Sequence, residues 1–267
     1  ITHSQLRENS GASARPSDMI TPGVGPPVAR PRVVADTVEG TTDGRSVGGC
    51  TARTAQYLAE RTPPVDAADW NARYLAQPDV WGTTPAARIV AEVTAAEDSG
   101  LGIGTAVDLA CGDGRHARWL AAHGWSVQAV DFSEVAIEQA RAKDSDDGRS
   151  GSVDWVVGDA TSWTPSEKVD LVVVGFLHLE LGTLVDVLRR AGSWLRPGGR
   201  LVYLGHAAEN LRHGVGGPQD PTVLPGIADL APGADGLEVI SLRHDLRPAG
   251  KATAVDVLLH ARAWADE

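Results

Sequence analysis

The sequence predicts an α/β fold, built as a doubly wound and mostly parallel sheet with helices on both faces. Between residues 105 and 206, short apolar segments alternate with segments of helical periodicity, which is the pattern of parallel strands joined by helices. The strand segments are almost continuously apolar, as expected of strands covered on both faces. After residue 236, two strand-like segments are separated only by "AGK", so we expect this pair to be antiparallel.

Each predicted element follows from its periodicity and its flanking signals. Helices are predicted in "DAADWNARYLAQ" and in "TPAARIVAEVTAAE", where Ile89 and Val93 share a face. "RHARWLAAH" is a helix that stops at Gly124, and "SEVAIEQARAK" is a helix with Ser133 as its N-cap. "LGTLVDVLRRAGSWL" is a helix ended by "RPGG", and "HGVGGPQDPTVLPG" is a loop. The predicted strands are "TAVDLA", "SVQAVD", "VDWVV", "VDLVVVGF", "RLVYLGH", "LEVISLRHDLRP" and "ATAVDVLLHARAW".

The first part of the chain lacks both periodicity and large apolar residues. It is rich in Ser, Thr, Gly, Pro and Arg, as in "TPGVGPPVARPR", and such a composition buries too little apolar surface to fold. We therefore predict a disordered or poorly ordered extension at residues 1–62 and one folded domain at residues 63–267. The first residues have no apolar core and no cleavage signature, so we expect no signal peptide.

Charge and cysteine content limit the partners. The net charge is -11 at pH 7, and the arginines are scattered, so we expect no nucleic-acid partner, because binding phosphates needs clustered positive charge. The best apolar run, "LVVVGFLHL", is too short to span a bilayer, so we expect no membrane partner and a cytoplasmic location. Cys50 lies in the predicted extension and Cys111 in a glycine-rich turn, so we expect no disulfide.

The segment "DLACGDGRHA", residues 108–117, joins the first predicted strand to a helix. Gly112 and Gly114 leave its backbone bare, so a ligand can approach closely, and the free N–H groups of the following helix point to the same place. Asp131 ends the next predicted strand, where its carboxylate can accept both hydroxyls of a ribose. Asp159 follows the third strand and can accept a hydrogen bond from an adenine amino group. This arrangement predicts a nucleoside ligand.

The glycine spacing by itself is ambiguous. Gly112, Gly114 and Ala117 also satisfy the dinucleotide pattern G-x-G-x-x-G/A. Asp108 favours a different ligand, because an additional carboxylate repels a pyrophosphate but attracts an ammonium or a sulfonium group. An NAD-dependent oxidoreductase is therefore the first alternative function, although no Tyr/Lys or His/Asp constellation stands at a convincing spacing.

The segment "AVDLACGDGRHARWLAAHGWSVQAVDFSEVAIEQARA" resembles the glycine motif and the acidic second-strand motif of class I S-adenosylmethionine-dependent methyltransferases. "GDA" and "LRPGGRLVY" are similar to later motifs of that family, and the resemblance covers about residues 65–262. It implies a Rossmann-like sheet of seven strands with an antiparallel C-terminal strand, and S-adenosylmethionine as the cofactor. "WNARYLAQPDVWGTTPAARIVAEV" resembles the lead-in helix of the tellurite-resistance and thiopurine-type branch, which implies in-line methyl transfer to a small-molecule acceptor.

The predicted cofactor site surrounds the glycine turn. Ala110 stands where many members of the family have glycine. The resemblance favours Trp81 as an aromatic lid near the sulfonium, because ring faces attract cations, whereas helix packing explains Trp70 and Tyr74 equally well. The predicted cofactor-binding residues are Trp81, Asp108, Ala110, Gly112, Gly114, Arg115, Asp131, Phe132, Asp159 and Ala160.

His178 follows the fourth predicted strand, at the edge where the acceptor should lie, and it is the predicted catalytic residue. A neutral histidine can take a proton from a hydroxyl, but a structural role is the alternative, and a thiol would need little help from a base. His206 is a weaker candidate of the same kind. Cys111 is interpreted as an apolar filler, and without a cluster at metal-ligand spacing we expect no metal. A non-catalytic module that binds S-adenosylmethionine is the second alternative function.

Overall fold

The computed structural model describes residues 66–77, 79, 81–144 and 149–265. The predicted extension at residues 1–62 lies outside the described residues, so the domain boundary stays a prediction. The described strands are β1 (Thr105–Leu109), β2 (Ser126–Asp131), β3 (Ser152–Val157), β4 (Val169–Gly175), β5 (Leu195–His206), β6 (Glu238–Ala249) and β7 (Ala252–Arg262). The described α-helices are α1 (Ala67–Ala76), α2 (Ala87–Asp98), α3 (Arg115–Ala122), α4 (Glu134–Lys143), α5 (Leu181–Ser193), α6 (Asn210–His213) and α7 (Ile227–Leu230), and 3-10 helices lie at Pro221–Val223 and Ala231–Ala234.

One seven-stranded sheet contains these strands in the order β3-β2-β1-β4-β5-β7-β6. The first five strands pair in parallel, whereas β7 pairs antiparallel with both β5 and β6. This confirms the predicted fold class, including the antiparallel C-terminal strand. The order of strands changes direction between β1 and β4. Ligands of open parallel sheets bind at such a switch point, beyond the carboxyl ends of the strands.

Helices cover both faces of the sheet. Val172 of β4 belongs to an apolar cluster with Leu188 of α5, whereas the next residue, Val173, belongs to a second cluster with Ile89 of α2 and Leu120 of α3. All five side chains are fully buried. Burial on both faces explains why the strand segments are apolar at almost every position.

Local signals in the sequence set the ends of several helices. The hydroxyl of Ser133 accepts a hydrogen bond from the Ala136 N–H at 3.1 Å and caps α4, as predicted. A capping box that the sequence reasoning did not identify opens α1, where Asp66 and Asp69 each accept from the other's backbone N–H. Gly124 follows α3 with a φ of +95°, a conformation that glycine adopts without steric cost.

The connection between α5 and β5 differs from the prediction. α5 ends at Ser193 and β5 begins at Leu195, so "RPGG" lies inside the strand instead of after a longer helix. Leu195 pairs with Val169 of β4, and the ladder then shifts register, which lets Gly198 adopt a φ of +78° within the strand. The predicted loop at residues 213–226 contains one turn of 3-10 helix. No helix among the described residues is long and apolar enough to cross a bilayer.

Candidate functional site

The turn after β1 has a left-handed backbone at three positions. The φ angles are +59° at Ala110, +56° at Gly112 and +84° at Gly114. This conformation costs an L-residue about 1–2 kcal/mol and costs glycine almost nothing. Ala110 is therefore strained at the very position where the chain departs from the glycine pattern.

Aromatic side chains explain why two of these positions need glycine. A Cβ on Gly112 would lie 2.5 Å from the hydroxyl oxygen of Tyr74, and a Cβ on Gly114 would lie 2.2 Å from Cη2 of Trp155. Tyr74 and Trp155 are both buried. From the sequence, we expected the bare backbone to serve a ligand alone. The structure shows that the two glycines also make room for the rings of Tyr74 and Trp155. At Gly114, a ligand can therefore contact only the side of the backbone that faces away from Trp155.

Asp108 is completely buried at the end of β1. Its Oδ2 accepts a hydrogen bond from the Ala117 N–H at 3.0 Å and so caps α3, whereas its Oδ1 is buried with no partner among the described residues. Burial raises the pKa of this carboxyl to about 7. An unsatisfied buried acceptor costs about 1–3 kcal/mol, so Oδ1 is an atom that a ligand donor would stabilise.

Asp131 ends β2 beside the same turn. Its Oδ2 accepts from the Gly112 N–H and its Oδ1 from the Ser133 N–H, both at 2.9 Å. Burial raises the pKa of Asp131, although these two hydrogen bonds oppose the shift. Because each carboxylate oxygen can accept a second hydrogen bond, Asp131 can position the turn and still receive hydroxyl donors.

The remaining predicted cofactor residues lie on the loops that follow β2 and β3. Phe132 and Ala160 are half-buried and Asp159 is exposed. Oδ1 of Asp159 accepts from the backbone N–H of Thr161 at 2.7 Å and from its hydroxyl at 2.8 Å, which is the ordinary turn chemistry that the sequence left open. The carbonyl of Ala160 accepts from Arg190 of α5. Of these groups, Oδ2 of Asp159 is the acceptor left for a ligand.

Three rings from α1 and the segment after it lie over the glycine turn, and we call Trp70, Tyr74 and Trp81 the aromatic cover. The indole Nε1 of Trp81 donates to the Tyr74 hydroxyl at 3.3 Å, and the Trp70 ring centroid lies 5.9 Å from Tyr74 and 6.1 Å from Trp81. Tyr74 is buried, whereas Trp81 is 45% exposed. Trp81 is thus the cover ring that is most accessible to a ligand.

Arg115, the first residue of α3, links the aromatic cover to the far side of the switch point. Its Nη1 donates to the backbone carbonyl of Trp81 at 2.8 Å, and its guanidinium lies 5.6 Å from the ring centroid of Phe176, just after β4. Burial lowers the pKa of Arg115, and no carboxylate of the described residues forms an ion pair with it. A half-buried guanidinium without an acidic partner suits a carboxylate ligand.

Two further contacts hold the segment that carries the cover. Lys143 of α4 bridges Asp113 of the turn, at 2.8 Å, and Asp79, at 2.5 Å. His116, whose role the sequence left open, accepts at Nε2 from the Ala86 N–H at 3.2 Å. Burial lowers the pKa of His116 to about 3, so its ring is neutral and acts as an acceptor near neutral pH.

A second polar group lies beyond the carboxyl ends of β4 and β5. The rings of His178 and His206 are stacked, with centroids 5.5 Å apart and planes 14° apart. Burial, together with the neighbouring His206, lowers the pKa of His178 to about 4, and its Nε2 is buried without a partner among the described residues. Nδ1 of His206 lies 3.0 Å from Oδ1 of Asp256 on β7, and Oδ2 of that carboxylate accepts from Nε of Arg247 at 2.6 Å.

Phe176 joins the two halves of the site. Its φ of +60° is a rare conformation for a bulky residue, and such outliers concentrate at functional sites. Its ring lies between the guanidinium groups of Arg115 and Arg247, at 5.6 and 5.5 Å, and 5.3 Å from the ring of His206. The sequence reasoning did not single out Phe176, Arg247 or Asp256. The one available signal was an acid in the otherwise apolar strand "AVDVLLHA".

Other surface features do not compete with this site. Cavities of about 240 and 260 Å³ lie near Thr105 and Gly199, at the amino end of β1 and therefore opposite the switch point. The thiol of Cys111 is buried, and this burial raises its pKa well above the ordinary value. Within the described residues, no group of three or more His, Cys, Asp or Glu side chains could hold a metal ion.

Residues 106–199 match a family model described as a methyltransferase domain. This segment runs from β1 into β5 and includes the glycine turn, Asp108 and Asp131. The match shows a methyltransferase domain in this part of the chain, in agreement with its resemblance to class I S-adenosylmethionine-dependent methyltransferases. The sequence resemblance led us to expect parallel strands, an antiparallel β7 and acidic residues around the glycine turn, and the structure contains these features.

The chain is similar to curated methyltransferases whose names point to different kinds of acceptor. It is 35% identical over 103 residues to ribosomal RNA small subunit methyltransferase C from Alcanivorax borkumensis, which covers 37% of this chain and 31% of that protein. It is 29% identical over 137 residues to trans-aconitate 2-methyltransferase from Methylobacterium radiotolerans, which covers 51% of this chain and 48% of that protein. The chain thus spans less than half the length of these curated relatives.

Among solved structures, the N-methyltransferase NodS from Bradyrhizobium japonicum WM9, in complex with S-adenosyl-L-homocysteine, has a TM-score of 0.57. The match covers 74% of this chain and 98% of that chain at 19% identity. At this identity the similarity shows a shared fold.

Proposed function

We propose that this methyltransferase transfers the methyl group of S-adenosylmethionine to a small-molecule acceptor by in-line displacement. The observation that carries the proposal is the buried carboxylate of Asp108, whose Oδ1 has no partner among the described residues, beside the bare backbone at Gly112. This arrangement supplies acceptors for a cationic ligand at the switch point of the sheet. The acceptor class, the absence of a nucleic-acid partner, the tellurite-resistance and thiopurine-type branch and the cytoplasmic location stay predictions.

The residues around the turn fit the cofactor group by group. Oδ1 of Asp108 would accept from its ammonium. The guanidinium of Arg115, which has no acidic partner in the part of the chain that the structure describes, would bind the cofactor's carboxylate. Asp131 would accept from the ribose hydroxyls, Oδ2 of Asp159 from the adenine amino group, and the face of Trp81 would attract the sulfonium. When bound, the cofactor supplies a methyl group that its positive sulfur has already activated. The aromatic cover excludes water from the reacting atoms.

The same residues fit a dinucleotide poorly. A pyrophosphate at the turn would lie next to Asp108 and Asp131, whose carboxylates would have to be protonated or moved. Lys143 does not offset this charge, because it already pairs with Asp113 and Asp79. The electrostatics therefore favour S-adenosylmethionine over NAD.

A small-molecule acceptor is supported by the charge of the chain. The net charge of -11 disfavours an RNA acceptor, whose phosphates attract positive protein surfaces. The name of the trans-aconitate relative is consistent with this choice, whereas the ribosomal RNA relative matches a smaller share of the chain.

Thermal unfolding with S-adenosylmethionine, S-adenosylhomocysteine and NAD tests the proposal. A ligand at 100 times its dissociation constant should add about 2.7 kcal/mol to the free energy of unfolding. We expect a shift with the first two ligands, its loss in Asp131→Ala, and its retention in Asp154→Ala, a matched change at an exposed acid of β3. Stabilisation by NAD alone, or an undiminished shift in Asp131→Ala, would contradict the proposed site. Binding without turnover of any small-molecule acceptor would favour the non-catalytic module.

A further inference from the structure

We infer that His206, oriented by Asp256, is the base that takes the acceptor's proton, and that the acceptor is therefore a hydroxyl compound. This inference rests on the proposed function and replaces His178, the predicted base, with its stacked neighbour. His206 lies at the carboxyl end of β5, directly opposite Asp256 in the antiparallel ladder with β7. The geometry that distinguishes the two histidines is the carboxylate contact, which His206 has through its Nδ1 at 3.0 Å.

Asp256 is placed to hold the ring of His206 in one tautomer. The carboxylate is fully buried, and although burial opposes ionisation, the contacts with His206 and Arg247 outweigh it and lower the pKa of Asp256. Nδ1 and Oδ1 are 3.0 Å apart, but in this geometry Nδ1 makes no hydrogen bond. A small rotation that aligned the two groups would hold the proton on Nδ1 and leave the lone pair on Nε2. Asp256 is thus a positioning residue, and Arg247 fixes the carboxylate in turn.

Gly217 packs closely against the Nε2–Cδ2 edge of the His206 ring. A Cβ on Gly217 would lie 2.9 Å from Nε2 and 2.5 Å from Cδ2 of His206, and Gly217 has a φ of +76°. Nε2 makes no hydrogen bond within the described residues, and the side chain of His206 is 12% exposed. The absence of a side chain at Gly217 leaves room for the ring, and of its two nitrogens only Nδ1 is buried without a hydrogen-bond partner, so Nε2 is the nitrogen that an acceptor hydroxyl would have to reach.

His178 is less suited to the same task. Its pKa is lowered to about 4 by burial, so it is a weak base, and within the described residues no carboxylate contacts its ring. Together with Phe176, it forms an aromatic wall beside His206. A planar acceptor would pack against such a wall. Among hydroxyl compounds, a phenol gives its proton to a histidine more easily than an alcohol does, because the pKa of a phenol is closer to that of an imidazole.

The proposed step conserves atoms and charge. The acceptor oxygen forms the new bond to the methyl carbon while the carbon–sulfur bond breaks, and its electron pair stays on sulfur. The hydroxyl proton moves to Nε2 of His206 and is later released to solvent. A thiol acceptor would bypass this transfer, because a thiolate is already populated near its pKa of about 8.5.

Matched acceptors separate the base from the rest of the site. The probes are 2-naphthol and 4-hydroxybenzoate with their thiol analogues, 2-naphthalenethiol and 4-mercaptobenzoate, and the readout is S-adenosylhomocysteine formed at pH 8. We expect His206→Gln to lower kcat for the hydroxyl probes at least about 100-fold and for the thiols less than about tenfold. His178→Gln should cost less than about tenfold for either class. His123→Gln, at an exposed histidine after α3, is the matched control and should change nothing.

A spectroscopic measurement tests the positioning role without any acceptor. Long-range ¹H–¹⁵N NMR of the full chain should show His206 with its proton on Nδ1, and Asp256→Asn should populate the Nε2–H form. Asp256→Asn should also change the pH profile of kcat. The ionisable or charged groups that face His206, and that can contribute to this profile, are Asp256, His178 and Arg247.

Each outcome addresses one of the two proposals. A wild-type Nε2–H tautomer, an undiminished kcat for hydroxyl probes in His206→Gln, or turnover of thiols alone would overturn the inference while leaving methyl transfer intact. Binding of S-adenosylhomocysteine without turnover of any of the four probes would count against the proposed function. Calorimetry with S-adenosylhomocysteine on every variant confirms that the cofactor half of the site is still folded.

Discussion

Replacing Asp108 with asparagine should change how the stability of the protein depends on pH. In the folded chain, burial raises the pKa of this carboxyl from 3.8 to about 7. Between these values the folded state holds a proton that the unfolded state has released, so raising the pH favours unfolding. The free energy of unfolding should therefore fall by about 1.4 kcal/mol per pH unit in the middle of this window, and by about 2 kcal/mol between pH 5 and pH 7, where the folded carboxyl is half ionised.

Asp108→Asn removes this titration and keeps most of the local structure. The amide oxygen of asparagine can still accept the Ala117 N–H that Oδ2 accepts now. The difference in free energy of unfolding, variant minus wild type, should rise by about 3 kcal/mol from pH 5 to pH 8. Urea titrations at pH 5, 6, 7 and 8 measure it, and Asp154→Asn, at an exposed position, should show no such trend.

Parallel pH profiles for the Asp108 variant and the wild type would refute this reasoning, since they would mean that the carboxyl titrates normally in the folded state. A second arm connects the group to its ligand. Saturation with S-adenosylhomocysteine should flatten the wild-type profile, because an ammonium at Oδ1 favours the ionised carboxylate and lowers its pKa.

The other predictions concern the turn and its cover. Gly114→Ala should destabilise the fold by about 2–4 kcal/mol, because the new Cβ meets Trp155 at 2.2 Å on a left-handed backbone; a loss below 1 kcal/mol in urea unfolding, on the order of a surface change, would speak against this packing. Ala110→Gly should relieve backbone strain and stabilise the protein by about 0.5–1 kcal/mol, and a lower unfolding midpoint would disagree with the φ of +59°. Trp81→Ala should weaken S-adenosylmethionine more than the uncharged S-adenosylhomocysteine by about 0.5–2 kcal/mol in calorimetry; equal losses would exclude a cation–π contact.

The geometry around the glycine turn, where we propose that the cofactor binds, was largely predictable because its signals are local. The strand, the glycine turn, the cap at Ser133 and the acid at Asp131 lie within one β-α-β segment, where spacing along the chain determines position in space. What local signals did not reveal is the second role of these residues. Asp108 caps α3 and Asp131 holds Gly112, because backbone N–H groups at the turn need acceptors whether or not a ligand is present.

The group around His206, where we propose that the acceptor binds, could not be predicted in the same way. His206 and Asp256 are fifty residues apart in the sequence, and they meet only through the register of β5 with β7. A shift of one residue in that register would turn Asp256 to the other face of the sheet. The sequence therefore favoured His178, which stands close to a predicted strand end, over a histidine whose partner comes from the far end of the chain.

The antiparallel hairpin of β6 and β7 has a consequence for how chemistry can diverge in this architecture. Arg247 and Asp256 lie on the hairpin, outside the residues 106–199 that carry the shared domain signature. If the proposed function holds, the donor and the recipient of the methyl group are specified by separate stretches of sequence, and we expect substitutions in the hairpin to change the acceptor without altering the part that holds the donor.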